Sequence, residues 1–176
     1  MKNCLNLGSG LDYRESTDTE LWHNVDCDTT VKADFYNDGD SLAVLQSDFY
    51  DVIYSHHSLE HFNDLFTIVD EMARVSKDKA TWEIITPYCT WTQNWGNPHH
   101  KLKFFHENTF RFFDKGPNGI HKRRQQDYSI ETVGVEYGFN LEVCMCGDSW
   151  INEPEYLRKT MLNAVKQITY KLKCKK

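Results

Sequence analysis

Within YSHHSLEHF, residues 54–62, the side chains of His57, Glu60 and His61 spell H-x-x-E-H. On a helix, that string can set two zinc ligands and a general base on one face, as in one group of zinc peptidases. Three other sets of residues carry chemistry. His99 and His100 form a second pair in NPHHK, Gly8-Ser9-Gly10 closes an apolar run, and Asp26 closes another. Histidines with near-neutral pKa values move protons. Glycines admit a ligand close to the backbone, and an acid at a strand end can accept hydrogen bonds from ribose hydroxyls. The elements that carry these residues decide which chemistry applies.

YDVIYS (Tyr50–Ser55) is a short apolar run of the kind buried in a parallel sheet. Asn63 and Asp64 then offer an N-cap, and Leu65, Ile68, Val69, Met72 and Val75 follow at helical spacing. The H-x-x-E-H string therefore spans a strand-to-helix loop and lacks the helix a zinc peptidase requires. No metal site is expected from it. In an open α/β sheet, such a loop is where ligands bind.

The remaining segments suggest alternating elements. NCLNL (Asn3–Leu7) and LWHNVD (Leu21–Asp26) read as strands, and TVKADF (Thr30–Phe35) as a weaker one. DSLAVLQS (Asp40–Ser47) suggests a short helix capped by Asp40. ATWEIITP (Ala80–Pro87) completes a βαβ unit, and NTFRFF suggests a short helix. YSIETVGVEYGFNLEVCMC reads as two antiparallel strands joined near Tyr137-Gly138, with Cys144 and Cys146 on one strand face. From Pro154, the residues Leu157, Met161, Val165, Ile168 and Leu172 predict an amphipathic helix. The expected architecture is α/β, with a mostly parallel sheet and an antiparallel end.

At 176 residues, 40% hydrophobic and 26% charged, the chain suits one globular domain with a single core. Its N-terminus is too short and polar for a signal peptide, and no run reaches the roughly 20 apolar residues of a membrane span. A cytoplasmic location is expected, without membrane contact. The six cysteines form no C-x-x-C pair, which argues for reduced thiols. Residues 1–96 hold 6 basic against 17 acidic groups, and residues 97–176 hold 14 against 9. The basic groups gather in HKRR (His121–Arg124) and at the lysine-rich end, a patch suited to an anionic acceptor or to solvent.

The glycine turn followed by Asp26 supports nucleoside binding. Asp12 stands where a dinucleotide fingerprint has its third glycine, and the crossover to the second strand is short, so NAD and FAD are disfavoured.

The ordered set CLNLGSG, WHNVDCD, KADFYND, FYDVIYSHHSLEHF and IVDEMARVSKDKATWEIITPY resembles the class I S-adenosylmethionine-dependent methyltransferases, type 11-like branch. The resemblance covers residues 3–88, including Glu71-Met72-Ala73-Arg74-Val75 in place of its E-x-x-R-V. It departs at Ser76-Lys77-Asp78-Lys79 and at Asn6, where the branch often carries an acid. The resemblance implies a Rossmann-like, three-layer αβα methyltransferase fold over 1–176, with a cofactor-binding half (1–88) and an acceptor-side half (89–176).

It also implies S-adenosyl-L-methionine as cofactor. Asn6, Leu7, Gly8, Ser9 and Gly10 would face its methionine part, Asp26 its ribose, and Asp34 with Phe35 its adenine. Ser55, His56 and His57 would lie beside the sulfonium. Methyl transfer to a hydroxyl or amine also needs a proton acceptor, for which His57, His61, His99 and His100 are candidates, foremost His57, His61 and His100. No proline follows Ser55 as in DNA amino-methyltransferases, and no cysteine follows a proline as in cytosine-C5 enzymes. A small-molecule or saccharide acceptor is expected, not DNA, with the chain acting as monomer or homodimer. Two alternatives stay open: a catalytically silent S-adenosylmethionine-binding module, and a metal-dependent O-methyltransferase using His57, Glu60 and His61.

Overall fold

The computed structural model describes residues 1–117, 119–120, 126–146 and 149–176. Seven strands form one sheet: β1 (Lys2–Leu7), β2 (Glu20–Asp26), β3 (Phe35–Tyr36), β4 (Tyr50–His56), β5 (Ser76–Pro87), β6 (Ser129–Phe139) and β9 (Val165–Lys175). A separate hairpin pairs β7 (Met145–Cys146) with β8 (Ser149–Trp150). The sheet order is β3-β2-β1-β4-β5-β9-β6. The first five strands run parallel, while β9 is antiparallel to both β5 and β6. This is a mostly parallel α/β sheet with an antiparallel end, flanked by helices.

Helix α1 (Leu65–Val75) forms where the apolar spacing predicts it. The Asp64 side chain accepts from the Phe66 and Thr67 N–H groups, satisfying two of the free donors at the helix start. Leu65, Ile68, Val69, Met72 and Val75 are buried along one face and join Leu5, Leu7, Ile53, Trp82 and Ile84 of the sheet in the main core. Three shorter helices follow: α2 (Thr92–Gly96), α3 (Leu141–Cys144) and α4 (Pro154–Thr160). No helix among the described residues is long and apolar enough to cross a membrane.

The short crossover between β1 and β2 contains no helix. Side chains tie it down instead. Asn24, fully buried, accepts from Arg14 N–H and Asn6 Nδ2 and donates through its own amide to the Arg14 carbonyl and Asp34. The Arg14 guanidinium stacks 3.5 Å above the Tyr54 ring.

Several expected elements are corrected. Residues 40–47 form turns with no helix, because the Asp40 carboxylate receives the N–H groups of Asn63 and Asp64 ahead of α1. The third strand shrinks to Phe35–Tyr36. The short helix expected in NTFRFF does form, as a 3₁₀ helix over Thr109–Phe113. β6 runs unbroken through Tyr137-Gly138, and its antiparallel partner is β9 from the far end of the chain. The C-terminal helix stops at Thr160, since Ile168, Tyr170, Leu172 and Cys174 are buried at every second residue, the period of a strand. Cys144 ends α3 and is buried, whereas Cys146 is exposed, so they share no strand face. HKRR lies at 121–124, outside the described residues.

Candidate active site

β1, β2 and β4 end side by side, and the loops leaving them enclose a cavity of about 290 Å³. Gly8, Gly10, Asp26, His57, Ser58 and His61 are among its lining residues. After Leu7 the chain turns sharply, with Gly8 at φ +67° and Gly10 at φ +50°, backbone shapes that favour glycine. A Cβ on Gly8 would stand 1.9 Å from Ser58 Oγ, whereas one on Gly10 would meet nothing within 4 Å. Gly10 thus leaves its side of the cavity bare.

Asp26 fixes this turn. Its Oδ2 accepts from the Gly10 N–H at 2.7 Å and its Oδ1 from the Asp28 N–H at 2.9 Å. Each carboxylate oxygen accepts up to two hydrogen bonds, so Asp26 keeps capacity toward the cavity it lines.

β4 carries the chain to His56. His57 then adopts φ +51°, an uncommon shape for a side-chain-bearing residue, and the 3₁₀ helix Leu59–His61 follows. The turn buries Glu60, which is 1% exposed, beneath the two histidines. Glu60 Oε1 pairs with His57 Nδ1 at 3.2 Å, and His57 Nε2 meets Gln167 Oε1 of β9 at 3.1 Å. Both ring nitrogens of His57 are engaged. The bond to Glu60 raises the His57 pKa above its ordinary value, outweighing the opposing effect of burial.

His61 and His100 are arranged differently. His61 Nδ1 bonds the His99 carbonyl at 3.1 Å, so it must carry the proton and leave Nε2 bare. His100 Nδ1 lies 2.8 Å from Asn94 Oδ1, and the Asn94 amide donates to the Lys103 carbonyl, which fixes the amide's orientation. His100 Nε2 is therefore also bare, and burial lowers the His100 pKa. A second cavity of about 390 Å³ opens on these groups, lined by His57, Glu60, His61, Trp91, His100 and Lys166 among others. The two cavities share His57 and His61.

Residues 9–81 match the family model of the methyltransferase domain. A methyltransferase from Archaeoglobus fulgidus described as SAM dependent superposes with a TM-score of 0.64 at 17% identity, over 98% of this chain and 86% of that one. An S-adenosylmethionine dependent methyltransferase from Mesorhizobium loti gives 0.59 at 13% identity, over 98% and 90%. Phosphoethanolamine N-methyltransferase 2 of Haemonchus contortus, solved with S-adenosyl-L-methionine, gives 0.53 at 10% identity, over 99% and 48%. The chain has the class I methyltransferase fold. The family-model match over residues 9–81 agrees with the likeness read from the sequence, and the three solved neighbours are named for S-adenosylmethionine. No curated protein matches the sequence.

The residues present fit that cofactor: an uncovered backbone at Gly10, a carboxylate with spare acceptor capacity at Asp26, and a cavity joining them to His57 and His61. The other expected cofactor residues are not among the lining residues of this cavity. Asn6 and Leu7 are buried, with the Asn6 amide bonded to the Asp12 carbonyl and Asn24. Ser9 and Ser55 are buried with hydroxyls that have no partner. Asp34 is held by Tyr13 and by the backbone and amide of Asn24. Phe35 packs edge-on to His23, and His56 lies beside His57. His99 is exposed and enters through its carbonyl.

The lining also holds residues that the sequence reading passed over: Cys27, Asn37, Gly39, Asp40, Ser58, Phe62, Asn63 and Lys101. Asn63 was marked in the sequence as part of the α1 cap, and Asp40 only as the cap of a helix that does not form. Lys101 follows the His99-His100 pair directly, and its N–H donates to the Glu60 carbonyl.

Proposed function

We propose that this chain is an S-adenosylmethionine-dependent methyltransferase acting on a hydroxyl or amine of a small molecule or saccharide. One observation carries the reading: His57 and His61 line both the cavity at the strand ends and the second cavity beside it. Residues 1–176 act as one domain, with 1–88 holding the cofactor and 89–176 supplying most of the acceptor side.

The cofactor, when bound, supplies an electrophilic methyl group on a sulfonium. The protein's task is then to align an acceptor, exclude water and receive a proton. Gly8 and Gly10 offer backbone to the methionine part, and Asp26 holds the ribose. Asn6, Leu7, Ser9 and Ser55 support the strand ends from the buried side, whereas Asp34, Phe35 and His56 stand outside the lining and would meet only a cofactor that reaches beyond it. His61, with its bare Nε2, receives the acceptor proton, and His100 stands beside it with ring centroids 4.9 Å apart. His57, clamped between Glu60 and Gln167, positions Glu60 and forms the shared wall.

The test is methyl transfer from labelled S-adenosylmethionine to a panel of sugars and small metabolites. His61→Ala should lower turnover by about 10²–10⁴-fold, the usual scale for a general base, while cofactor affinity stays near wild type. Cofactor binding without turnover on any acceptor would favour the silent binding module. Full activity in His61→Ala would remove its proposed role.

A further inference from the structure

The floor of the second cavity holds an unusual excess of hydrogen-bond acceptors. Glu60 Oε2 is buried and has no hydrogen-bond partner, although Glu60 is 1% exposed. His61 and His100 each commit Nδ1 as a donor elsewhere, which leaves two bare Nε2 atoms. A carboxylate oxygen of Glu60 and one ring nitrogen from each histidine lie within 4.8 Å of one another. Only Glu60 is buried, while His61 is exposed and His100 half-buried. Leaving the buried Glu60 oxygen unpaired is costly, so a bound molecule that brings a donor to it gains.

The geometry points to a primary amine as the group that is methylated. This inference rests on the methyltransferase reading and specifies its acceptor. A hydroxyl carries one hydrogen and would satisfy one of the three acceptors. A primary ammonium carries three, directed tetrahedrally. With N–H···acceptor distances of about 2.9 Å, its three acceptors stand about 4.7 Å apart, within the observed bound. The negative charge of Glu60 favours the ammonium form on binding. Lys166, whose ammonium lies 5.5 Å from the Trp91 ring centroid, is the cation lining this cavity and faces the rest of the acceptor.

The chemistry balances. The ammonium gives one proton to His61 Nε2, and the amine then turns about its C–N bond so that the freed lone pair leaves His61 and faces the methyl carbon. That nitrogen bonds the methyl carbon as the carbon–sulfur bond breaks, and the bond's electron pair stays on sulfur. S-adenosylhomocysteine leaves, and the product is a secondary methylammonium still paired with Glu60.

The test uses matched probes on the protein saturated with S-adenosylhomocysteine: D-glucosamine against D-glucose, and ethanolamine against ethylene glycol. Calorimetry should show the amine of at least one pair binding about tenfold or more tighter than its hydroxyl partner. Glu60→Gln should erase that preference. His100→Ala should weaken it and serves if Glu60→Gln does not fold. Equal binding within both pairs, including no binding by any probe, overturns the inference. So does stoichiometric binding of Zn²⁺ or Mg²⁺ alone that is lost in Glu60→Gln, since the three acceptors would then be metal ligands. A wild-type protein that fails to bind S-adenosylhomocysteine removes the methyltransferase reading itself, an outcome distinct from the other two.

Discussion

Asp26→Ala should weaken S-adenosylhomocysteine binding by about 1.5–3 kcal/mol, roughly 10- to 150-fold in Kd. Asp26 is only 9% exposed, and both its oxygens already receive backbone N–H groups, from Gly10 at 2.7 Å and Asp28 at 2.9 Å. The substitution removes two kinds of contact. Charge-assisted bonds that hold the glycine turn are lost whether or not a ligand is present, and they appear as a lower Tm. Acceptor positions for the ribose are lost only when the ligand is bound. A double-mutant cycle separates the two, with S-adenosylhomocysteine and its 2′-deoxyribose analogue titrated against wild type and Asp26→Ala. If Asp26 holds the ribose, the analogue should bind wild type more weakly than the parent, yet bind the variant equally well. Additive losses would mean that Asp26 acts only on the turn. Unchanged affinity in the variant would take Asp26 out of the site.

Four further outcomes follow from the same loops. Gly8→Ala should lower stability by about 1–3 kcal/mol, because its Cβ meets Ser58 at 1.9 Å on a left-handed backbone. Gly10→Ala, with open space around its Cβ, should melt closer to wild type yet bind S-adenosylhomocysteine poorly; calorimetry and thermal melts distinguish the two. At His57, where φ is +51°, glycine should melt higher than alanine by the equivalent of roughly 1–2 kcal/mol. The Glu60 pair raises the folded pKa of His57, so its stabilisation is full below the unfolded value near 6.5 and is lost as pH rises through the folded value. His57→Asn, which tolerates the backbone shape, should therefore lose more Tm at about pH 6 than at about pH 8.5; an equal loss would deny that the pair is charged.

How much of the fold was legible depended on whether local periodicity had a unique reading. β4 and α1 were clear, because Val52-Ile53-Tyr54 is continuous and apolar while Leu65, Ile68, Val69 and Met72 repeat at three and four. The C-terminal segment was ambiguous. Leu157, Met161, Val165, Ile168 and Leu172 suit a helix, but the pair 168 and 172 lies on one face of a strand equally well. Tyr170 and Cys174 complete that strand face, and pairing with β5 and β6 decides the matter. Such pairing joins residues far apart in sequence, so no local window contains it. Asp40 shows the same limit: it reads locally as the cap of a helix over 40–47, yet its carboxylate accepts from the N–H groups of Asn63 and Asp64, more than twenty residues away.

The site was legible in its strand ends and obscure in its side-chain directions. Asp26, the glycine turn and the SHHSLEH loop had to converge once β1, β2 and β4 ran parallel, because their C-terminal ends then share one edge. Spacing alone could not say which histidine nitrogens remain bare. In sequence, His57 looks like the natural partner of Glu60 and His61, and H-x-x-E-H invites that grouping. In the fold, the left-handed turn at His57 sends its ring to Glu60 Oε1 and Gln167, engaging both nitrogens. His100, on a loop nearly forty residues downstream, instead joins Glu60 and His61. Its ring is set by Asn94, a buried amide with no motif to mark it. The string that resembles a zinc site thus divides between two tasks: His57 pairs with Glu60 and Gln167, while Glu60 and His61 keep acceptors without partners beside the second cavity. A tightly bound metal and an incoming amine would compete for those same acceptors, which is why the Glu60→Gln titrations decide the acceptor and the meaning of the motif together.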